Sequence, residues 1–198
     1  TAALASGAAF GISAGTNATL DGTIDAGGAL SVTATDALTL TGVAKSGAGA
    51  SLRGRAITLD GSLAADDTAS VDSTNALSIN GALSGVDGLT ARGGTVAIGA
   101  LARLRTNQAL SLTSDSRFVN AGDISALSAV SVNAGTTLDN QKAISGGTLA
   151  LAGEGVTLGV TSTLAATGAL SVISRDSLAT SGTIDTNDTL TLSARGAF

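Results

Sequence analysis

The chain contains no histidine, cysteine, methionine, proline, tryptophan or tyrosine in its 198 residues. Each absence removes a class of chemistry. Without cysteine there is no disulfide framework and no thiolate metal site. Without histidine the commonest general base and metal ligand is missing. Without proline no backbone donor is lost, which suits a chain made mostly of strand. The only aromatics are Phe10, Phe118 and Phe198, so stacking platforms of the kind that hold sugar rings are scarce. Charge is also sparse, at 13%. A net charge of −5 disfavours nucleic acid and anionic membrane as general partners. No run approaches the roughly 20 apolar residues of a membrane span, and the first residues carry no basic start of the kind that opens a signal peptide.

Small and branched aliphatics are abundant instead: 43% of the chain is hydrophobic, enough to argue against disorder. They recur in register. Apolar pairs fall at Phe10/Ile12, Leu30/Val32, Ala50/Leu52, Ala69/Val71, Leu89/Ala91, Leu110/Leu112, Val130/Val132, Leu149/Leu151, Leu170/Val172 and Leu190/Leu192, with steps of 19, 20 or 21 residues. Self-similarity at this period marks a solenoid.

The coil from Leu170 shows the unit. Leu170 and Val172 flank an outward Ser171, the period-2 mark of a strand. A polar turn follows, then Leu178 inward on a second short strand, a corner at Thr180–Gly182, and Ile184 inward on a third before Leu190 begins the next coil. The second column reads Leu38, Ile57, Leu77, Val96, Phe118, Leu138, Val156, Leu178 and Phe198. The third reads Ile24, Ala44, Leu63, Leu83, Leu104, Ile124, Ile144, Leu164 and Ile184. Between them lies a glycine-rich corner: Gly22, Gly42, Gly61, Gly81, Gly99, Gly122, Gly159 and Gly182. Asp21, Asp60, Asn80, Asn120 and Asn140 precede or replace these glycines. Glycine and Asx residues tolerate positive φ, so this corner is expected to turn in the left-handed region.

Three short strands per coil without a crossover helix predict an all-β fold. Parallel strands cannot be joined by hairpins, so the chain must wind, and parallel crossovers wind right-handed. The expectation is a right-handed parallel β-helix of three sheets and nine to ten coils, one segment over residues 1–198. A leucine-rich repeat has a similar period but needs a helical side, and no 3.6-residue stripe is present. Thr1 and Phe198 both fall mid-repeat, which suggests a segment of a longer array. Unpaired edges at its two ends would favour end-to-end self-association.

The strings FVNAGDI (118–124), LDNQKAI (138–144) and LATSGTI (178–184) resemble the haemagglutinin repeat of filamentous haemagglutinins, roughly L-x-N-x-G-x-I. Phe118/Ile124, Leu138/Ile144 and Leu178/Ile184 are its apolar anchors. Its Asn stands at Asn120 and Asn140 but is Thr180 in the third string; its Gly stands at Gly122 and Gly182 but is Lys142 in the second. Residues 108–198 match best, whereas LSINGAL (77–83) and ITLDGSL (57–63) keep only the rung. The resemblance implies a large Gram-negative exoprotein, secreted to the cell surface through an outer-membrane partner by two-partner secretion. In that family such rods serve as adhesins and virulence factors that engage a host-cell receptor, a glycan or a neighbouring bacterium. Others are shafts of contact-dependent growth inhibition toxins.

Catalytic signals are weak, and no cofactor is expected. GISAG (11–15) matches a nucleophile elbow, but Ser13 has no histidine to activate it. Asp66/Asp67 and Asp185/Asp188 are carboxylate pairs, yet the acids scatter over different corners and the glycine–aspartate calcium motif is missing. A polysaccharide-active β-helix enzyme is therefore the weakest reading. Asn17-Ala-Thr19 and Asn187-Asp-Thr189 fit a glycosylation sequon by chance composition. The arginines are less evenly spread: Arg53, Arg55, Arg92, Arg117, Arg175 and Arg195 all fall between the first and second strand columns. Sharing one corner, they would form a stripe for polyanions such as sulfated glycans. Asp36, Asp72, Asp115 and Asp176 in the same stretch would offset it. Arg103 and Arg105 lie near the third strand instead.

Overall fold

The computed structural model describes residues 3–197, so Phe198, expected in the second column, lies outside the described residues. The described residues form a right-handed parallel β-helix of 29 strands in three sheets of ten, ten and nine. Sheet I begins with Ala3–Ser6 and ends with Thr183–Thr186. Sheet II runs from Phe10–Ala14 to Leu190–Ala194, and sheet III from Ala18–Leu20 to Leu178–Thr180. Each coil contributes one strand to sheet I, then II, then III. All pairings are parallel and join strands one coil apart. At about 4.8 Å per step, ten coils make a rod roughly 45 Å long.

The columns read from the sequence are the interior. Phe10 pairs with Leu30 and Ile12 with Val32, Phe118 with Leu138, and Ile124 with Ile144. Phe118 and Ile144 are wholly buried. Each large aliphatic packed into such a column stabilises the fold by about 1.5–3 kcal/mol.

Sheet III carries a second inward column that the sequence reading did not assign: Leu20, Leu40, Leu59, Ile79, Ile98, Asn120, Asn140, Leu158 and Thr180. Asn120 and Asn140, expected at the turn, point into the core at 0% exposure. Asn120 Nδ2 donates to Asn140 Oδ1 at 2.7 Å, and Asn120 Oδ1 accepts from the Gly122 backbone N–H at 3.1 Å. Asn140 Nδ2 donates to the Lys142 carbonyl at 2.8 Å. The two amides thus satisfy each other and the corner, which lets polar groups sit in an apolar column.

The glycine corner also has a different cause from the one expected. Among the described residues the one positive φ belongs to Gly88, at 157°, outside that corner. What requires glycine is the coil below. A Cβ at Gly42 would overlap the Gly22 carbonyl oxygen, and one at Gly61 or Gly81 the carbonyl oxygen of the preceding glycine in the column. Gly99 and Gly159 are not in this column. Each opens a two-residue longer turn, closed by Ala102 N–H to Gly99 O at 3.0 Å and by Ser162 N–H to Gly159 O at 2.9 Å. Ala102 and Ser162 then occupy the glycine position, both buried. The tips of these turns leave Leu101 and Val160 87% and 79% exposed.

Coil length varies at two other corners, and between sheets II and III it follows a simple rule. Between sheets II and III the usual spacing of inward residues is six, as from Leu112 to Phe118. It is five from Leu52 to Ile57, Ala91 to Val96 and Leu151 to Val156. The last inward residue of sheet II is Ala or Ser before the long corner and Gly54, Gly93 or Gly153 before the short one. Before the long corner a buried serine hydroxyl bonds the carbonyl three residues on: Ser73 to Ala76 at 2.9 Å, Ser114 to Arg117 at 2.8 Å and Ser174 to Ser177 at 2.7 Å. In the short corner the carbonyl two residues on swings over the glycine. A Cβ at Gly93 would lie 2.7 Å from the Thr95 oxygen, and at Gly153 3.2 Å from the Gly155 oxygen. Between sheets I and II a five-residue spacing occurs from Ile144 to Leu149 and again carries a glycine, Gly146.

Candidate functional surfaces

With the large aliphatics turned inward, function rests on what the three outer faces and the corners display. Sheet II presents an outward row in which Ser31, Ser51, Ser70, Thr90, Ser111 and Ser131 follow one another on successive coils. Its second outward row runs Thr33, Arg53, Asp72, Arg92, Thr113. Opposite charges alternate in mid-row, and neighbouring ladder positions are close enough for them to attract.

The six arginines singled out from the sequence therefore divide. Arg53 and Arg92 stand on the flat of sheet II, two coils apart with Asp72 between them. Arg55, Arg117, Arg175 and Arg195 lie at the corner from sheet II to sheet III. There the Arg55 N–H donates to the Asp36 carbonyl and the Arg175 N–H to that of Gly153. Arg175 and Arg195 sit on adjacent coils, after the paired Ser174 and Ala194. The two coils between Arg117 and Arg175 have no arginine at this corner; there Thr136 and Glu154 continue the stack that runs from Ser116 to Asp176. Two of the offsetting acids do pair. Arg92 reaches Asp115 at 3.1 Å and Arg55 reaches Asp36 at 3.9 Å, with all four side chains more than half exposed. Such pairs contribute about 0–1 kcal/mol each, and their partners lower the positive potential a polyanion would meet.

The carboxylates do not converge. Asp66 and Asp67 are exposed at the turn from sheet I to sheet II. Asp185 points outward from the strand Thr183–Thr186, while Asp188 is in the following turn, accepting from the Thr189 hydroxyl at 3.2 Å. No cluster of three or more His, Cys, Asp or Glu residues with metal-binding geometry is present among the described residues. Ser13 faces outward and exposed on sheet II. Asn17 is engaged structurally, its Oδ1 accepting from the Ala37 N–H at 3.1 Å.

Several shallow concavities mark the surface, and one of them spans five coils of sheet I. A groove of about 540 Å³ runs along the rod where sheet I turns into sheet II. Arg105 and Asp185 mark its ends, Ser125, Ser145 and Ala165 form its floor, and Leu127 stands beside it. It coincides with the short corner at Gly146–Gly147, where the missing residue draws the backbone inward. The coil deletion was visible in the sequence as the 19-residue step from Val130 to Leu149, but nothing in the sequence alone tied it to a surface feature.

No family model, curated protein or solved structure matches the chain.

Proposed function

We propose that the chain is a stiff shaft within a large secreted, cell-surface exoprotein, and that its role is structural and adhesive. The observation that carries this reading is the continuous interior, which stacks aliphatic columns through ten coils with one internally paired asparagine rung, while most polar side chains are spread over flat faces. A rod of this kind spans distance and presents repeated side chains. Hydroxyl rows and scattered arginines offer many weak contacts to a glycan-bearing or protein-bearing cell surface, and multivalent display turns weak contacts into attachment.

The test uses the purified chain coupled to beads. Beads should adhere to epithelial monolayers or to bacterial cells above albumin-coated controls; adhesion to neither would overturn the adhesive part of the reading. Heparin chromatography addresses the arginines separately. If they form a polyanion surface, Arg53→Ala, Arg55→Ala and Arg117→Ala together lower the eluting salt concentration. Unchanged retention removes sulfated glycans as a ligand of this segment. Incubation with acidic polysaccharides should leave their chain length unchanged.

A further inference from the structure

The departures from the regular coil on the sheet I side gather around one patch. The turn at Gly99–Ala102 precedes the strand Arg103–Thr106, and the turn at Gly159–Ser162 precedes Thr163–Ala166. The short corner at Gly146–Gly147 follows the strand between them, Ala143–Gly146, and Leu127, 75% exposed, stands one coil earlier. Five consecutive strands of sheet I are framed in this way, from Arg103–Thr106 to Thr183–Thr186.

Their outward residues are small except at the ends. One row reads Arg105, Ser125, Ser145, Ala165, Asp185; the other reads Arg103, Asp123, Ala143, Thr163, Thr183. The first row has opposite charges two coils to either side of Ser145, and neither end charge has a side-chain partner among the described residues. Such a row is complementary to itself after reversal.

We propose that this face of sheet I is a docking surface for a second copy of the chain, packed face to face and antiparallel about a two-fold axis at Ser145. A closed two-fold contact must satisfy each residue twice, once from each side. Here it does. Arg105 meets Asp185 of the second copy, and Asp185 meets its Arg105. Asp123 meets Thr163, a hydroxyl donor. With the axis along the strands, each corner faces the same corner of the other copy two-fold related in height. Leu101 then opposes Ser181–Gly182, Val160 opposes Ala121–Gly122, and Leu127 opposes Thr167–Gly168 at the rim of the groove. Each exposed aliphatic thus faces small residues that leave it room. Lys142 lies on the axis and approaches its own copy, with Asp123 one coil away in both chains.

The patch is about 24 Å tall, from five coils at ~4.8 Å, and one short strand wide. That is smaller than a stable specific interface, so association is weak, transient and sensitive to salt.

Sedimentation equilibrium from micromolar to near-millimolar concentration tests the proposal. A reversible monomer–dimer equilibrium is expected, weakened on raising salt to about 1 M. R105D alone sets Asp against Asp185 at both contacts, and D185R alone sets Arg against Arg105. Each should weaken dimerisation by about tenfold or more, as two reversed exposed pairs imply. Mixing the R105D and D185R chains should restore it, because both contacts in the mixed dimer are then attractive. Both positions are exposed, so unchanged circular dichroism is expected. A chain that stays monomeric throughout overturns the proposal. So does association untouched by either reversal, the signature of end-to-end stacking, and so does failure of the mixture to recover.

Discussion

The corner that follows Gly93 and the corner that follows Ser114 lie on adjacent coils and join the same two sheets, yet one is a residue shorter. In the long corner the Ser114 hydroxyl bonds the Arg117 carbonyl at 2.8 Å and the Gly94 carbonyl of the coil below at 3.2 Å. In the short corner there is no room for that hydroxyl, because the Thr95 carbonyl occupies its place. The same requirement, a satisfied carbonyl at a buried bend, is met by a side chain in one case and by chain geometry in the other. Corner length and the identity of one small residue are therefore a single choice.

The largest break in this comparison comes from forcing the wrong residue into the short corner. Gly93→Ser should cost about 3 kcal/mol by overpacking against the Thr95 oxygen and Leu77 Cβ, seen as a lowered midpoint in urea unfolding. Inserting one residue after that serine converts the corner to the long form. It should return stability to within about 1 kcal/mol of the parent. If the insertion gives no recovery, length and residue are not coupled.

A second contrast lies within sheet III, where Asn120 and Asn140 occupy a column otherwise held by Leu and Ile. Asn140→Leu alone strands the Asn120 amide and should cost about 2 kcal/mol. Asn120→Leu with Asn140→Leu should be close to neutral, since both partners leave together. A double variant as damaged as the single would show that the amides hold the corner carbonyl and the Gly122 N–H more than each other.

Ser114→Ala is expected to cost about 1–2 kcal/mol, because two corner carbonyls lose their donor. Ala34→Ser, at the equivalent place in a coil that manages without the hydroxyl, should change little. Smallest of all is the surface pair: Arg92→Ala should shift stability by about 0.5 kcal/mol or less at low salt and not measurably in 1 M salt.

Most of the fold was legible because its signal is redundant. Ten copies of one apolar pair set the period, and period-2 alternation set the inward face. Two readings failed for the same physical reason. Residue type was matched to local backbone preference when the coil below decides. Glycine at 42, 61 and 81 reads as a left-handed turn in isolation, but only the carbonyl of the next coil down explains it. Asn120 and Asn140 read as turn residues because asparagine is common there. The clue against this was the apolar partner column, Leu40, Leu59, Ile79, Ile98 and Leu158, whose register they share. The arginines illustrate a different limit. Sequence position placed all six between two columns, yet a residue at the end of a strand and a residue just past it face different directions. Arg53 and Arg55 accordingly part company.

The turns at Gly99–Ala102 and Gly159–Ser162 add two residues, yet Ile98 and Leu104, like Leu158 and Leu164, keep their places in the core. Length at that bend is uncoupled from the pitch of the winding. The junction of sheets III and I is therefore a graft point: a peptide tag or a longer loop inserted between Ala100 and Leu101 should project sideways from the rod while the coils above and below remain in step.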